Sequence, residues 1–338
     1  MEILDWVVLI FSIGFIVLYG IWKNIKNKDL QEYFKGSNKS RWWTIGISVM
    51  ATQASAITFL STPGQAYSDG MGFIQFYFGL PFAIIIISIF FLPIYHKLKV
   101  YTAYEFLEKR FNKKTRNLAS LLFLIQRGLA AGITIYAPAI IMSLILKWPL
   151  YLLIIIIGSL VTFYTLIGGT KAVNVTQKQQ MFVIFIGLFI AIYYIFKGIP
   201  KEFSLNEVLE IAGANGKLDI LNFDLDFKSR YTFWSGITGG LFLALSYFGT
   251  DQSQVQRYIS GKNLRESQKG LFFNAILKVP MQFLILFIGV SVFVFYQFNL
   301  SPINFNTAAL EKVRNSKFNT EFEILEQKHK EIQEEKFF

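Results

Sequence analysis

The sequence predicts an all-α polytopic membrane protein, and three observations lead there. Of its 338 residues 53% are hydrophobic and only 16% charged, so its apolar surface exceeds what a water-soluble core needs. Apolar runs long enough to cross roughly 30 Å of hydrocarbon recur along the chain. Between them lie short loops in which the basic residues collect. The net charge of +11 therefore orients the chain in a bilayer and argues against nucleic acid, which needs a basic patch on a soluble domain. With no Cys present, a disulfide scaffold, a thiol nucleophile and a thiolate metal site are excluded together.

Eight spans are expected within a membrane domain of residues 1–298, at about 4–22, 43–62, 73–95, 117–146, 150–168, 181–198, 232–256 and 270–298. The first has acidic Glu2 and Asp5 at its start and no small-residue cleavage pattern after it, so it reads as a retained helix and not a signal peptide. The loops at 23–41, 97–116, 169–180 and 257–269 carry six, seven, two and four Lys or Arg, while those at 62–73 and 147–149 carry none and one. Positive-inside bias then places the N-terminus outside the cell membrane. Between the third and fourth spans, Thr102 and Glu105 have capping-box spacing, and Tyr104, Phe106, Leu107 and Phe111 share a face; a short interfacial helix is expected there. Residues 299–338 read as a polar extracytoplasmic tail, with Phe318, Phe322, Ile324, Leu325 and Ile332 spaced for a weakly amphipathic helix.

Polar residues concentrate in two spans. The middle of the second reads Ser48, Ala51, Thr52, Gln53, Ala54, Ser55, Thr58, Ser61, Thr62, Pro63 and Gly64. Small residues alone would serve close helix packing in lipid. Gln53 points further, to a helix interrupted near the midplane whose freed carbonyls bind a cation and whose side chains face a solute. The seventh span repeats the pattern, with Gly236, Gly239 and Gly240 ahead of Ser246, Gly249, Thr250, Asp251, Gln252, Ser253 and Gln254. Two interrupted polar helices five spans apart are the mark of an inverted-repeat transporter. Arg127 in the fourth span either snorkels to the interface or faces a cavity as an anion binder. Lys278, with Asn274 and Pro280 in the eighth, is read as structural. Asp251 either lines the solute site or caps the 257–269 loop through Arg257.

The stretch Tyr247-Phe248-Gly249-Thr250-Asp251-Gln252-Ser253-Gln254-Val255-Gln256-Arg257-Tyr258 strongly resembles the sodium:solute symporter family, in the branch of monocarboxylate, vitamin, iodide and sialic-acid carriers. Glu32-Tyr33-Phe34, Tyr104 to Phe111 and Gly168 to Val173 agree with it, over about residues 4–300. The resemblance implies a leucine-transporter-type fold: an extra N-terminal helix, then core helices one to seven of ten. It also implies a sodium site on backbone carbonyls at Ala51 and Ala54, with Ser55 and Thr58 facing the solute. Neutral oxygens suit sodium, a hard cation. Gln177 stands where many members carry an Asp that serves an additional sodium, which puts a second ion in doubt. The eighth core helix, whose hydroxyls complete the shared sodium site, lies beyond Phe338, so the site as given is half present and a separately encoded C-terminal part becomes a candidate partner.

The expected function is sodium-driven symport of a small polar organic solute or anion across the lipid bilayer. Its solute site is placed at Gln53, Ser55, Thr58, Phe248 and Asp251, with Arg127 as a further candidate. The alternative from another class is a solute-sensing membrane domain that never completes a transport cycle. With no Walker A pattern, no His-Glu-x-x-His and only His96 and His329, ATP-driven and zinc-dependent schemes lack their parts, and an enzyme is not expected because no cluster of catalytic side chains is visible at one interface.

Overall fold

The computed structural model describes residues 3–24, 40–226 and 228–335. Their regular structure is helical, apart from one isolated bridge between Ser40 and Gly261. α1 (Ile3–Asn24) is followed by a broken pair, α2 (Trp42–Gln53) and α3 (Ala56–Asp69), whose axes differ by 63°. α4 (Met71–Leu98) opens with a 3-10 stretch and contains a π turn at Ile87–Phe91, where Gln268 donates to the Ser88 carbonyl at 3.0 Å. A side chain entering the ladder is a recognised cause of such a turn. Short α5 (Tyr104–Arg110) leads into α6 (Lys113–Leu146). Next come α7 (Leu150–Ile167) and α8 (Val173–Lys197), then α9 (Leu205–Ala214). A second broken pair, α10 (Phe233–Gly249) and α11 (Gln252–Ile259), precedes α12 (Leu264–Phe298). The tail forms α13 (Thr307–Arg314) and α14 (Asn319–Glu335).

Five of these helices are long and apolar enough to span a bilayer, and the α2–α3 pair makes a sixth. α1, in which Trp6–Phe15 is the apolar stretch, and the 17-residue α10 are the remaining two expected spans. Burial separates two roles. Half of the apolar window of α12 is buried in the protein, against 6% for each of α6, α7 and α8. α12 is thus the central post, and the other three turn Leu, Ile and Phe side chains outward, as lipid-facing helices must. α2, α3 and α4 pack around α12, and α10 crosses α4 where a Cβ on Gly236 or Gly240 would run into the carbonyls of Gln75 or Phe76. Gly289 meets the Pro63 backbone in the same way, so these crossings depend on glycine.

Three expectations change. The 169–180 segment is mostly helical: Gly169 (φ 57°, ψ −162°) makes a kink and α8 begins at Val173, so the sixth span starts earlier than its apolar run. Only a glycine adopts that backbone easily. The Thr102 hydroxyl caps nothing and is buried without a partner, while Glu105 accepts from the Tyr101 N–H at 3.2 Å. The tail adds a short helix, α13, ahead of the one its spacing predicts, α14, and of the spaced apolar residues Phe322 alone is buried while Ile324, Leu325 and Ile332 are exposed. Glu32-Tyr33-Phe34 lies outside the described residues.

Contacts sort the loops into two sets that match the alternation of charge. Ser40 meets Ser260, Trp42 meets Glu266, and Ala103 meets Gln252 at one end. Met71 bonds Lys217, and Lys147 pairs with Glu311 at 2.6 Å, at the other. In this Cys-free chain, exposed Ser68→Cys is expected to react with an impermeant thiol reagent added outside intact cells, and Lys113→Cys to stay protected until the membrane is opened. The reverse labelling would invert the orientation.

Candidate functional site

The break in α2–α3 is local chemistry made visible. Ala54 (φ −85°, ψ 90°) and Ser55 (φ −95°, ψ 170°) are extended. The α2 ladder ends with the Ala54 N–H bonding the carbonyls of Met50 (3.0 Å) and Ala51 (3.1 Å), and a new ladder starts where Thr58 N–H bonds the Ser55 carbonyl. The Ala51 carbonyl therefore keeps one free lone pair, and the break exposes the negative end of the α2 dipole within the protein. No basic side chain stands in the last turn of α2, which leaves carbonyl oxygens as the chemistry of this end.

Beside the break runs a hydrogen-bonded network. The Ser48 hydroxyl lies 2.8 Å from Asn174 Oδ1 and 2.6 Å from Gln177 Oε1. Gln177 Nε2 donates to Thr52 Oγ1 at 3.0 Å, and the Thr52 hydroxyl donates to the Ser48 carbonyl. Arg257 Nη1 reaches Asn174 Oδ1 at 3.3 Å, and its Nε is buried without an acceptor. Gln177, one of the departures singled out in the sequence, thus binds the helix that ends at the break. Among the described residues no carboxylate pairs with Arg257.

A cavity of about 430 Å³ opens between the break and α10. Gln53, Phe73, Tyr77, Tyr231, Tyr247 and Phe248 are on its wall, with Arg230 at the end where the 199–230 segment lies. Two expected solute residues, Gln53 and Phe248, share this wall, and Gln53 Oε1 is buried with no donor. Ser55 and Thr58 do not line it; Ser55 begins α3 without a side-chain cap bond, and the Thr58 carbonyl accepts the Thr62 hydroxyl.

Arg127 and Asp251 are brought together, each as the other's partner, at 2.5 Å. Asp251 is therefore held by Arg127 and not by Arg257, and the Arg127 guanidinium also lies 5.5 Å from the Tyr247 ring. Asp251 caps α11 as well, accepting from the Ser253 N–H at 2.9 Å. Asp251→Asn is expected to keep the cap and lose the ion pair, whereas Asp251→Ala loses both and unfolds with about 1 kcal/mol less stability than the Asn variant. Equal thermal unfolding of the two would show that the cap contributes nothing.

Lys278, read as structural in the sequence, finds no hydrogen-bond partner among the described residues. It is wholly buried at mid-α12, its Nζ has no hydrogen-bond partner, and the nearest aromatic face is Tyr77, 5.7 Å away. One turn to either side, Asn274 leaves both amide atoms unpaired and Gln282 leaves Oε1 unpaired, all at 0% exposure. An ion buried alone costs several kcal/mol, so a purely structural role has no energetic support. Tyr77 is shared between this polar column and the cavity.

The sodium:solute symporter family model matches residues 33–319. The chain belongs to the sodium:solute symporter family. This symporter chain is 33% identical over 267 residues to the sodium-coupled monocarboxylate transporter 2 of Bos taurus, covering 79% of the chain and 43% of the relative. It is 29% identical to the human sodium/iodide cotransporter over 82% of the chain and 43% of that protein. It spans less than half the length of these curated relatives. A sodium-coupled sialic acid symporter, solved substrate-bound and outward-open, superposes with a TM-score of 0.84 at 28% identity, over 91% of the chain and 66% of that structure. The fold is accordingly the leucine-transporter-type inverted repeat, represented by part of its core.

Proposed function

We propose that this chain supplies the ion-binding break and part of the solute cavity of a sodium-coupled symporter for a small organic anion. The observation that carries the reading is the unpartnered Lys278 ammonium one aromatic ring away from a cavity that abuts the α2 break. Support comes also from the relatives, which are described as acting on monocarboxylate, iodide and sialic acid, all anions. Sodium suits the break, because the carbonyls of Ala51 and Ala54 present neutral hard oxygens at a negative helix end. Bound there, the ion would supply the positive charge that couples its gradient to solute entry.

The ion and solute sites share α2, which gives a physical route for coupling. A cation at the carbonyls of Ala51 and Ala54 holds the break in its bent form, and Gln53 on the same turn faces the cavity. A second sodium near Gln177 is disfavoured, since the Arg257 guanidinium donates to Asn174 Oδ1 of the same network and repels a cation there. We therefore place no second sodium beside Gln177.

Vesicles carrying a whole symporter that contains this chain test this, since the chain spans 43% of the length of its relatives. An inward sodium gradient is expected to accumulate a labelled short-chain monocarboxylate above its equilibrium level, and an equal potassium gradient is not. Accumulation of a neutral hexose in place of the anion would contradict the anionic assignment, and accumulation with potassium would contradict sodium coupling.

A further inference from the structure

The groove between α1 and α8 holds a cavity of about 390 Å³. Phe11 and Phe15 of α1 and Phe182 and Val183 of α8 form its apolar walls, and each is at least 49% exposed within the protein. Side chains so exposed on two membrane helices meet acyl chains. The polar end is different. Lys178 sits there with its Nζ 4.4 Å from the centre of the Trp43 ring, and the neighbouring Gln179 has a buried Oε1 with no donor. Lys178 is one of the two lysines of the 169–180 segment and lies in the first turns of α8, at the end of the molecule that also holds Ser40 and the 257–269 loop. Charge, an aromatic ring and an unfilled acceptor thus meet at headgroup depth, above a slot open to the hydrocarbon.

We propose that this groove binds one anionic phospholipid whose headgroup carries hydroxyls. Its phosphate lies at Lys178, a headgroup hydroxyl donates to Gln179 Oε1, and one acyl chain runs along Phe11, Phe15 and Phe182. The placement has a consequence for the ion site. Residues 178 and 179 directly follow Gln177, which bonds Thr52 one residue before the last of α2, and Trp43 stands at the other end of that helix. The lipid therefore braces α1, α2 and α8 against each other beside the break.

The test is native mass spectrometry of the purified chain from detergent containing equal phosphatidylglycerol and phosphatidylcholine. Retention of phosphatidylglycerol at roughly fivefold preference is expected, the gain typical of one juxtamembrane lysine facing an anionic lipid. Lys178→Gln brings the ratio close to parity. Gln179→Leu keeps the anionic preference but removes the advantage of phosphatidylglycerol over phosphatidic acid, which lacks the headgroup hydroxyls. Ser12→Phe, filling the slot, releases both lipids, and circular dichroism checks that each variant keeps its helices. Glycerol 3-phosphate added in water should displace nothing; displacement by it would assign the site to a soluble phosphate and overturn the lipid. Equal retention of the two lipids by the wild type, or unchanged phosphatidylglycerol retention by helical Lys178→Gln, also overturns the proposal. Should Lys178→Gln fail to fold, unchanged retention by Ser12→Phe does the same.

Discussion

Lys278→Met is expected to weaken binding of a short-chain monocarboxylate about 10- to 100-fold while making the protein harder to unfold. The two effects have one cause. Tyr77 stands between the ammonium and the cavity, and once its ring turns aside a charge-assisted hydrogen bond to a bound anion is worth about 1.5–3 kcal/mol, which sets the loss of affinity. In the absence of solute the same ammonium is buried with no partner, so replacing it by an apolar side chain of similar length removes a desolvation cost. Scintillation proximity binding and thermal unfolding on the same preparation read both. Lower stability with unchanged affinity would make Lys278 a structural residue after all. Asn274→Leu and Gln282→Leu should likewise raise stability, since each removes buried amide atoms left unpaired, which cost about 1–3 kcal/mol.

The second large effect belongs to the helix crossings. Gly240→Val and Gly289→Val should each lower stability by about 1–3 kcal/mol or more, because the new Cβ meets the Phe76 carbonyl in the first and the Pro63 backbone in the second. Neither obstacle is the end of a flexible side chain, so the helices must separate. Gly239 is the control: nothing lies within 4 Å of a Cβ built there, and Gly239→Ala should stabilise α10 by up to about 1 kcal/mol. If all three variants unfold at the wild-type temperature, the close approach of α10 to α4 and of α12 to α3 is not what holds this core together.

Much of this architecture was legible because lipid punishes irregular backbone. Runs such as Ser48 to Thr62 and Ser246 to Gln254 have too many hydroxyls and amides for plain spans, and both are places where helices break. Charge alternation was legible for the same reason, and contacts at the two ends group the loops accordingly. Burial was not legible. Lys278 and Arg127 are each the one cation of the apolar stretches 270–298 and 117–146, yet α12 is wrapped by α2, α3 and α4 while α6 lies at the rim. Nothing along either helix says which is wrapped. Pairings such as Arg127 with Asp251, or Gln177 with Thr52, join positions more than a hundred residues apart, and spacing rules reach only a few turns. The tail's helix was legible from its spacing but its exposure was not, for Ile324, Leu325 and Ile332 lie on it with no surface to cover among the described residues.

The central claim is that sodium is held at the break between Gln53 and Ala56, and it can be tested before any solute is known. Ser55→Cys introduces a single thiol into a chain that has none, at the N-cap of α3 and beside the Ala54 carbonyl. The measurement is the alkylation rate of that thiol in membranes carrying the protein, in sodium, potassium or choline chloride at equal ionic strength. An ion that orders the break should change the rate severalfold in sodium and leave it the same in potassium and choline. Identical rates in all three salts, with the protein folded, would contradict a sodium site at the α2 break.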